Sequence, residues 1–127
     1  MMKILITGGA GFQGSHIADQ LVRDGHRVTV LNTLSGAAER NIHQLKDNAS
    51  IVWGSITDPE IVDKTVRGQD RVIHLAARIN VDESIAMPHS YLEANIMGTF
   101  NVLEAVRKQG CPLIYASSCE VYGYTGA

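Results

Sequence analysis

Cysteine is scarce in this chain, and the two present, Cys111 and Cys119, stand in no CxxC or Cys/His spacing. That argues against a disulfide framework or a thiolate metal site and leaves both as reduced thiols. His16, His26, His43 and His89 share no ligand spacing either, so no metal is expected. Basic stripes are also missing. The longest cationic cluster is Arg107-Lys108, and 11 Lys and Arg against 13 Asp and Glu give a formal net charge of -2. Such a chain lacks the electrostatic footprint of a nucleic-acid binder. No apolar run approaches membrane-spanning length, which leaves no membrane partner to expect. Met1-Met2-Lys3 lead straight into a strand pattern without the basic segment, apolar run and small-residue cleavage site of a signal peptide, so the expected location is cytoplasmic. Linkers, low-complexity tracts and short-period repeats are absent as well, and the chain reads as one domain.

What is present is an alternation. Apolar runs rich in Ile, Val and Leu, short enough for buried strands, fall at residues 3–7, 27–31, 50–53, 71–75 and 113–116. Between them, longer amphipathic stretches predict helices at 12–24, 37–46, 59–66 and 88–109. Buried strands alternating with helices are the pattern of an α/β protein with a parallel sheet covered on both faces. Thr57-Asp58-Pro59 supplies a cap followed by proline at a first helical position, and Gly25, Gly68 and Gly110 follow helix ends. In residues 88–109, the positions Leu92, Ile96, Phe100, Leu103 and Val106 recur every three to four residues and predict one buried stripe on a long helix.

The first strand-to-helix junction carries the chemistry. Gly8, Gly11 and Gly14 lie between an apolar strand and an amphipathic helix, and in that context each has a mechanical role: a tight turn, close backbone approach to a pyrophosphate, and close packing of helix on strand. The free amides at the helix start, with the positive end of its dipole, suit phosphate.

The segment TGGAGFQGSH (7–16), with its GxxGxxG spacing, resembles the cofactor turn of the extended short-chain dehydrogenases/reductases, the family of nucleotide-sugar epimerases and dehydratases. Further segments extend the resemblance over essentially the whole chain, in family order: VLNTLSG (30–36), GSITD (54–58), VIHLAA (72–77), EANIMGTFNVLEA (93–105) and YASSCEVYG (115–123). The resemblance implies a Rossmann-like doubly wound sheet of about five strands in the order 3-2-1-4-5. It implies NAD as cofactor, with NADP left open, and contacts at Gly8, Gly11, Phe12, Gln13 and Gly14 of the turn. Gln13 departs from the usual isoleucine. On the later strands the implied contacts are Asn32, Ser55, Ile56, Leu75, Ala76 and Ala77, with Asn95 as a helix residue that braces the small-residue motif.

Two of these positions bear on which dinucleotide is held. An acidic residue at the end of the second strand bonds the adenine ribose and repels a 2'-phosphate; here that residue is Asn32. Arg40 would approach such a phosphate if its loop folded back, although a solvated helix arginine is the plainer reading. Ser55 stands where relatives often carry an aspartate toward the adenine amino group, so packing by Ile56 is expected to matter more.

At the chemical end, Ser118 resembles the Ser/Thr that bonds the hydroxyl undergoing oxidation, beside a tyrosine from a later Tyr-x-x-x-Lys helix. Glu120 resembles the glutamate of 4,6-dehydratases and uronic-acid decarboxylases, able to take a C5 proton, whereas Cys119 replaces the aspartate acid of glucose-type dehydration. His74 reads as a satisfied core histidine. The implied activity is that of an NAD(P)-dependent nucleotide-sugar epimerase/dehydratase, with a uronate decarboxylase or a non-catalytic NAD(P)-binding module as alternatives. No Tyr-x-x-x-Lys occurs up to Ala127. The chain therefore reads as residues 1–127 of a cofactor-binding domain cut before its catalytic helix, competent to bind dinucleotide but not to turn over substrate. Helix 88–109 resembles the one that pairs across the family dimer, so a homodimer is expected.

Overall fold

The computed structural model describes residues 1–45, 47–124 and 126. Five strands, β1 (Lys3–Thr7), β2 (Arg27–Asn32), β3 (Ala49–Trp53), β4 (Arg71–His74) and β5 (Leu113–Tyr115), form one sheet in the order β3-β2-β1-β4-β5. Every pairing is parallel, with Leu5 opposite both Thr29 and Val72. The anticipated order and class are thus what the chain adopts.

Period-two alternation explains why the strands read as continuous apolar runs. Ile4, Ile6, Val28 and Val30 enter one core cluster with Ala18 of α1 (Phe12–Arg23) and Ala38 of α2 (Gly36–Asn41). Their sequence neighbours Leu5 and Leu31, with Val72, enter the opposite cluster with Val62 and Val66 of α3 (Pro59–Val66). Both faces of the central strand β1 are therefore dry, whereas the edge strands β3 and β5 stay partly exposed. Asp58 caps α3, accepting from the Glu60 and Ile61 amides at 3.0 and 3.2 Å, with Pro59 at the first position, as its sequence suggests.

Several boundaries differ from expectation. The helix anticipated at 37–46 is two pieces, α2 and a 3-10 turn at His43–Leu45; Lys46 lies outside the described residues. A short helix, α4 (Val81–Ala86), went unanticipated because it buries no residue and so shows no core-facing stripe. The long helix exists as α5 (Pro88–Leu92), a π-helical stretch at Glu93–Gly98, and α6 (Thr99–Gln109), with helical backbone through both junctions. Of the anticipated stripe only Val106 is buried among the described residues. Gly98, Val102, Ala105 and Val106 face the core, whereas Leu92, Ile96, Phe100 and Leu103 are about half exposed. Small residues let this rod approach the sheet: a Cβ on Gly98 would stand 2.6 Å from the side chain of Ile56.

Candidate functional site: a cleft at the carboxyl ends of the strands

The chain leaves β1 toward β2 and β3, then returns to place β4 on the other side of β1. Loops leaving β1 and β4 therefore diverge, and a crevice opens at the carboxyl end of the sheet. A cleft of about 790 Å³ occupies it, lined by the glycine turn, by the ends of β2 and β3, and by the loop after β4.

The turn is built by backbone contact. Gly8 adopts φ 71°, a left-handed conformation that disfavours any Cβ, and a Cβ there would meet the Ala76 backbone at 2.8 Å. Its amide donates to the Leu31 carbonyl, and Gly11 donates back to the Gly8 carbonyl at 3.0 Å. A Cβ on Gly14 would run into that same carbonyl oxygen, so helix α1 packs directly on the turn. The amide of Ser15 makes the first helical bond, to Gly11, and no side chain caps the helix start. The amides of Phe12, Gln13 and Gly14 have no intrahelical acceptor, since the first donors of any helix have none. Phe12 is 78% exposed and does not fold over them. Bare amides thus line the cleft at the positive end of a helix dipole, an arrangement that fits a diphosphate.

Asparagines hold the turn in place. Asn32 Oδ1 accepts from the Ala10 amide at 3.2 Å while Asn41 Nδ2 donates to the Ala10 carbonyl at 3.0 Å. Asn41 carried no sequence signal, because a polar residue late in a short helix looks like any solvated one. Asn32 lines the cleft next to Thr33, across from Ser55 and Ile56. The Ser55 hydroxyl is engaged locally, 2.8 Å from Thr57 Oγ1 and accepting the Thr57 amide.

On the β4 side, Leu75, Ala76 and Ala77 form the wall. Beneath them His74 is a buried hub. Its Nδ1 lies 2.6 Å from Thr7 Oγ1, its Nε2 lies 2.9 Å from Thr99 Oγ1, and its ring stacks on Tyr115. The Ala76 amide also donates to Thr7 Oγ1, and the ring tautomer sets the direction of the two histidine contacts. Burial lowers the imidazole from 6.5 to about 4, which keeps it neutral and structural.

Asn95 does not line the cleft. It clamps the backbone of Arg78, accepting from the Arg78 amide at 2.8 Å and donating to its carbonyl at 2.9 Å, and so fixes the loop that leaves the small-residue motif. These bonds are local, and they leave Asn95, also expected among the dinucleotide contacts, off the cleft wall. Arg78, Ile79, Ser90 and Glu93 also line the cleft and were missed. The lone cation after VIHLAA was the available signal. Arg78 sits 5.7 Å from the Tyr91 ring centroid and 3.5 Å from Glu83, whose carboxylate accepts the Tyr91 hydroxyl at 2.6 Å.

Ser118 and Glu120 lie apart from these walls. Both are exposed on the segment after β5, where Ser118 Oγ accepts the Glu120 amide at 3.2 Å and starts a 3-10 turn, Cys119–Tyr122. Neither lines the cleft.

A parallel sheet in this order, with a glycine turn opening into a helix at the switch in strand order, defines a Rossmann-like dinucleotide fold. The chain belongs to the NAD-dependent epimerase/dehydratase family, whose model matches residues 4–127. It is 42% identical over 125 residues to a dTDP-glucose 4,6-dehydratase of Mycobacterium tuberculosis, a match covering 96% of this chain and 38% of the relative. A UDP-N-acetyl-alpha-D-glucosaminuronate decarboxylase of Bacillus cytotoxicus is 39% identical over 121 residues, covering 95% and 38% respectively. Among solved structures, a UDP-glucose-4-epimerase of Stenotrophomonas maltophila with bound NAD superposes with a TM-score of 0.88 at 30% identity, over 100% of this chain and 40% of that one. The chain thus spans about two-fifths of the length of the relatives it matches.

Proposed function

We propose that this chain is the NAD-binding portion of an enzyme that modifies the sugar of a nucleotide sugar. The observation that carries it is the continuous cleft from the bare amides of α1, past Asn32 and Ser55 on one side, to Ala76 and Ala77 on the other. Gly11, Phe12, Gln13 and Gly14 would receive the diphosphate, Asn32 and Thr33 the adenosine ribose, and Ile56 the flank of the adenine. The small side chains of Ala76 and Ala77 leave room for the nicotinamide end. Bound NAD supplies a hydride acceptor for oxidation at sugar C4, which makes the C5 proton acidic. Ser118 would bond the C4 hydroxyl, and Glu120 would take the C5 proton for elimination or, in a uronic acid, return a proton to C5 after CO2 has left, favouring either over plain epimerisation. The tyrosine and lysine that manage the C4 proton in such enzymes are not among these 127 residues.

The half-exposed stripe of Leu92, Ile96, Phe100 and Leu103 supports a homodimer through this helix. Calorimetric titration of the chain with NAD tests the central reading. Saturable one-site binding is expected; no binding up to about 1 mM NAD, the top of the ordinary range for such sites, would overturn it.

A further inference from the structure

Resting on the dinucleotide reading above, we propose that the side chain of Gln13, and not its backbone alone, is a ligand of the cofactor's diphosphate. Its carboxamide N–H groups would add to the amides at the start of α1. Any residue type would present the backbone amide; the carboxamide belongs to this sequence, which departs here from the usual isoleucine. Gln13 is the second residue of α1, lines the cleft and is exposed. Every Cα–Cβ bond of an α-helix tilts toward the helix N-terminus, and the common rotamers carry the side chain further that way. From the first turn, that direction leads past the helix start, over the amides that have no intrahelical acceptor.

The other polar side chains around the turn are committed elsewhere. Thr7 Oγ1 lies 2.6 Å from His74 Nδ1, the Ser15 hydroxyl donates to the Phe12 carbonyl at 3.0 Å, and His16 meets the Phe12 ring edge-on at 5.1 Å between centroids. Gly8, Gly9, Gly11 and Gly14 have no side chain to offer. Among the described residues, the Gln13 carboxamide makes no hydrogen bond within the chain, so it can turn to suit a ligand. A diphosphate presents oxygen acceptors only, which selects the Nε2 edge. No Lys or Arg stands between Thr7 and His16. At the turn itself, the phosphate charge is therefore met by peptide dipoles and by this one carboxamide, and a hydrogen bond to an ionised oxygen is about twice as strong as one between neutral groups.

Calorimetric titration of the full chain and two variants with NAD tests this without any turnover. Gln13→Met keeps the length of the side chain without its N–H groups and should weaken NAD by at least about fivefold, in keeping with the loss of a hydrogen bond to a charged group. Gln13→Glu keeps the shape and sets a carboxylate beside the phosphates, so it should weaken NAD further still. Its urea midpoint should nevertheless be unchanged or higher, because an acid in the first turn of a helix is favourable. A merely structural role would move affinity and stability in the same direction. ADP, which keeps the diphosphate and lacks the nicotinamide end, should show the same loss in Gln13→Met; should it bind too weakly to titrate, the NAD ratios decide. A loss of NAD affinity smaller than about fivefold in Gln13→Met, a Gln13→Glu chain that binds NAD as tightly as the unaltered one, or a loss seen with NAD and not with ADP would overturn this inference while leaving the dinucleotide reading intact. Failure of the unaltered chain to bind NAD would overturn that reading itself.

Discussion

The glycine-turn end of the site and the segment that follows β5 are built on different principles. Around the glycine turn, Thr7, Ala10 and His74 are at most 1% exposed, and each polar contact runs from backbone to backbone or to a side chain whose orientation is fixed at its far end. From the end of β5 onward, Tyr115 is 57% exposed and Tyr122 is 80% exposed, and among the described residues Ser118 and Glu120 bond only within their own short turn. The first end is over-determined by the local chain and the second is not. Tight backbone packing leaves no alternative conformation of comparable energy, whereas an edge strand paired on one side holds its following loop through few contacts.

Breaking the rigid end should produce the largest effect. A methyl on Gly14 would drive into the Gly8 carbonyl and stand 2.6 Å from the Gly9 Cα, both backbone atoms of a turn that is itself bonded to β2. Gly14→Ala should cost about 3 kcal/mol or more in a urea unfolding curve and abolish detectable NAD binding. A variant with wild-type stability and affinity would mean that the turn yields, and the contrast drawn above would collapse.

A smaller effect is expected at the hub that joins the two ends, because His74 touches Thr7 of β1, Thr99 of α6 and Tyr115 of β5. Burial lowers its folded-state value to about 4, below the 6.5 of the unfolded chain. Between those values the unfolded state binds the proton and the folded state does not, so stability is complete above about pH 6.5 and is lost as pH falls toward about 4. The loss from this group should be on the order of 3 kcal/mol, and smaller wherever protonation is relieved by local opening. Urea midpoints measured from pH 7 to pH 4 should show the decline in the wild type and a flatter profile in His74→Asn. Parallel profiles would remove His74 as the source.

Much of this was visible in the residues themselves, for identifiable reasons. Gly8 and Gly14 are informative because a missing Cβ at those positions answers a backbone constraint, and the strands because burial on both faces leaves unbroken apolar runs. The same logic misleads on residues 88–109. Both sides of that helix are apolar, and periodicity favours the side with the large residues, Ile96, Phe100 and Leu103, although the sheet is approached by Gly98, Val102 and Ala105. Close packing selects small residues, which carry a weak hydrophobic signal. Arg78 and Asn41 were illegible for a related reason: their roles depend on what the topology brings near them, a ring and a carboxylate in one case and the Ala10 carbonyl in the other.

The smallest effect is expected at the open end, and it sharpens the contrast most directly. Among the described residues, the Ser118 hydroxyl makes one bond, accepting the Glu120 amide at 3.2 Å, on an exposed segment that lines no part of the cleft. An exposed capping bond of that kind contributes no more than about 1 kcal/mol, so Ser118→Ala should barely move the urea midpoint. Its hydroxyl is assigned to the sugar and not to the dinucleotide, so NAD affinity by calorimetry should stay within about twofold of wild type, a change of under about 0.5 kcal/mol. A much larger loss of NAD affinity with stability intact would mean that the segment after β5 reaches the dinucleotide, uniting the two ends that the contacts in this structure keep apart.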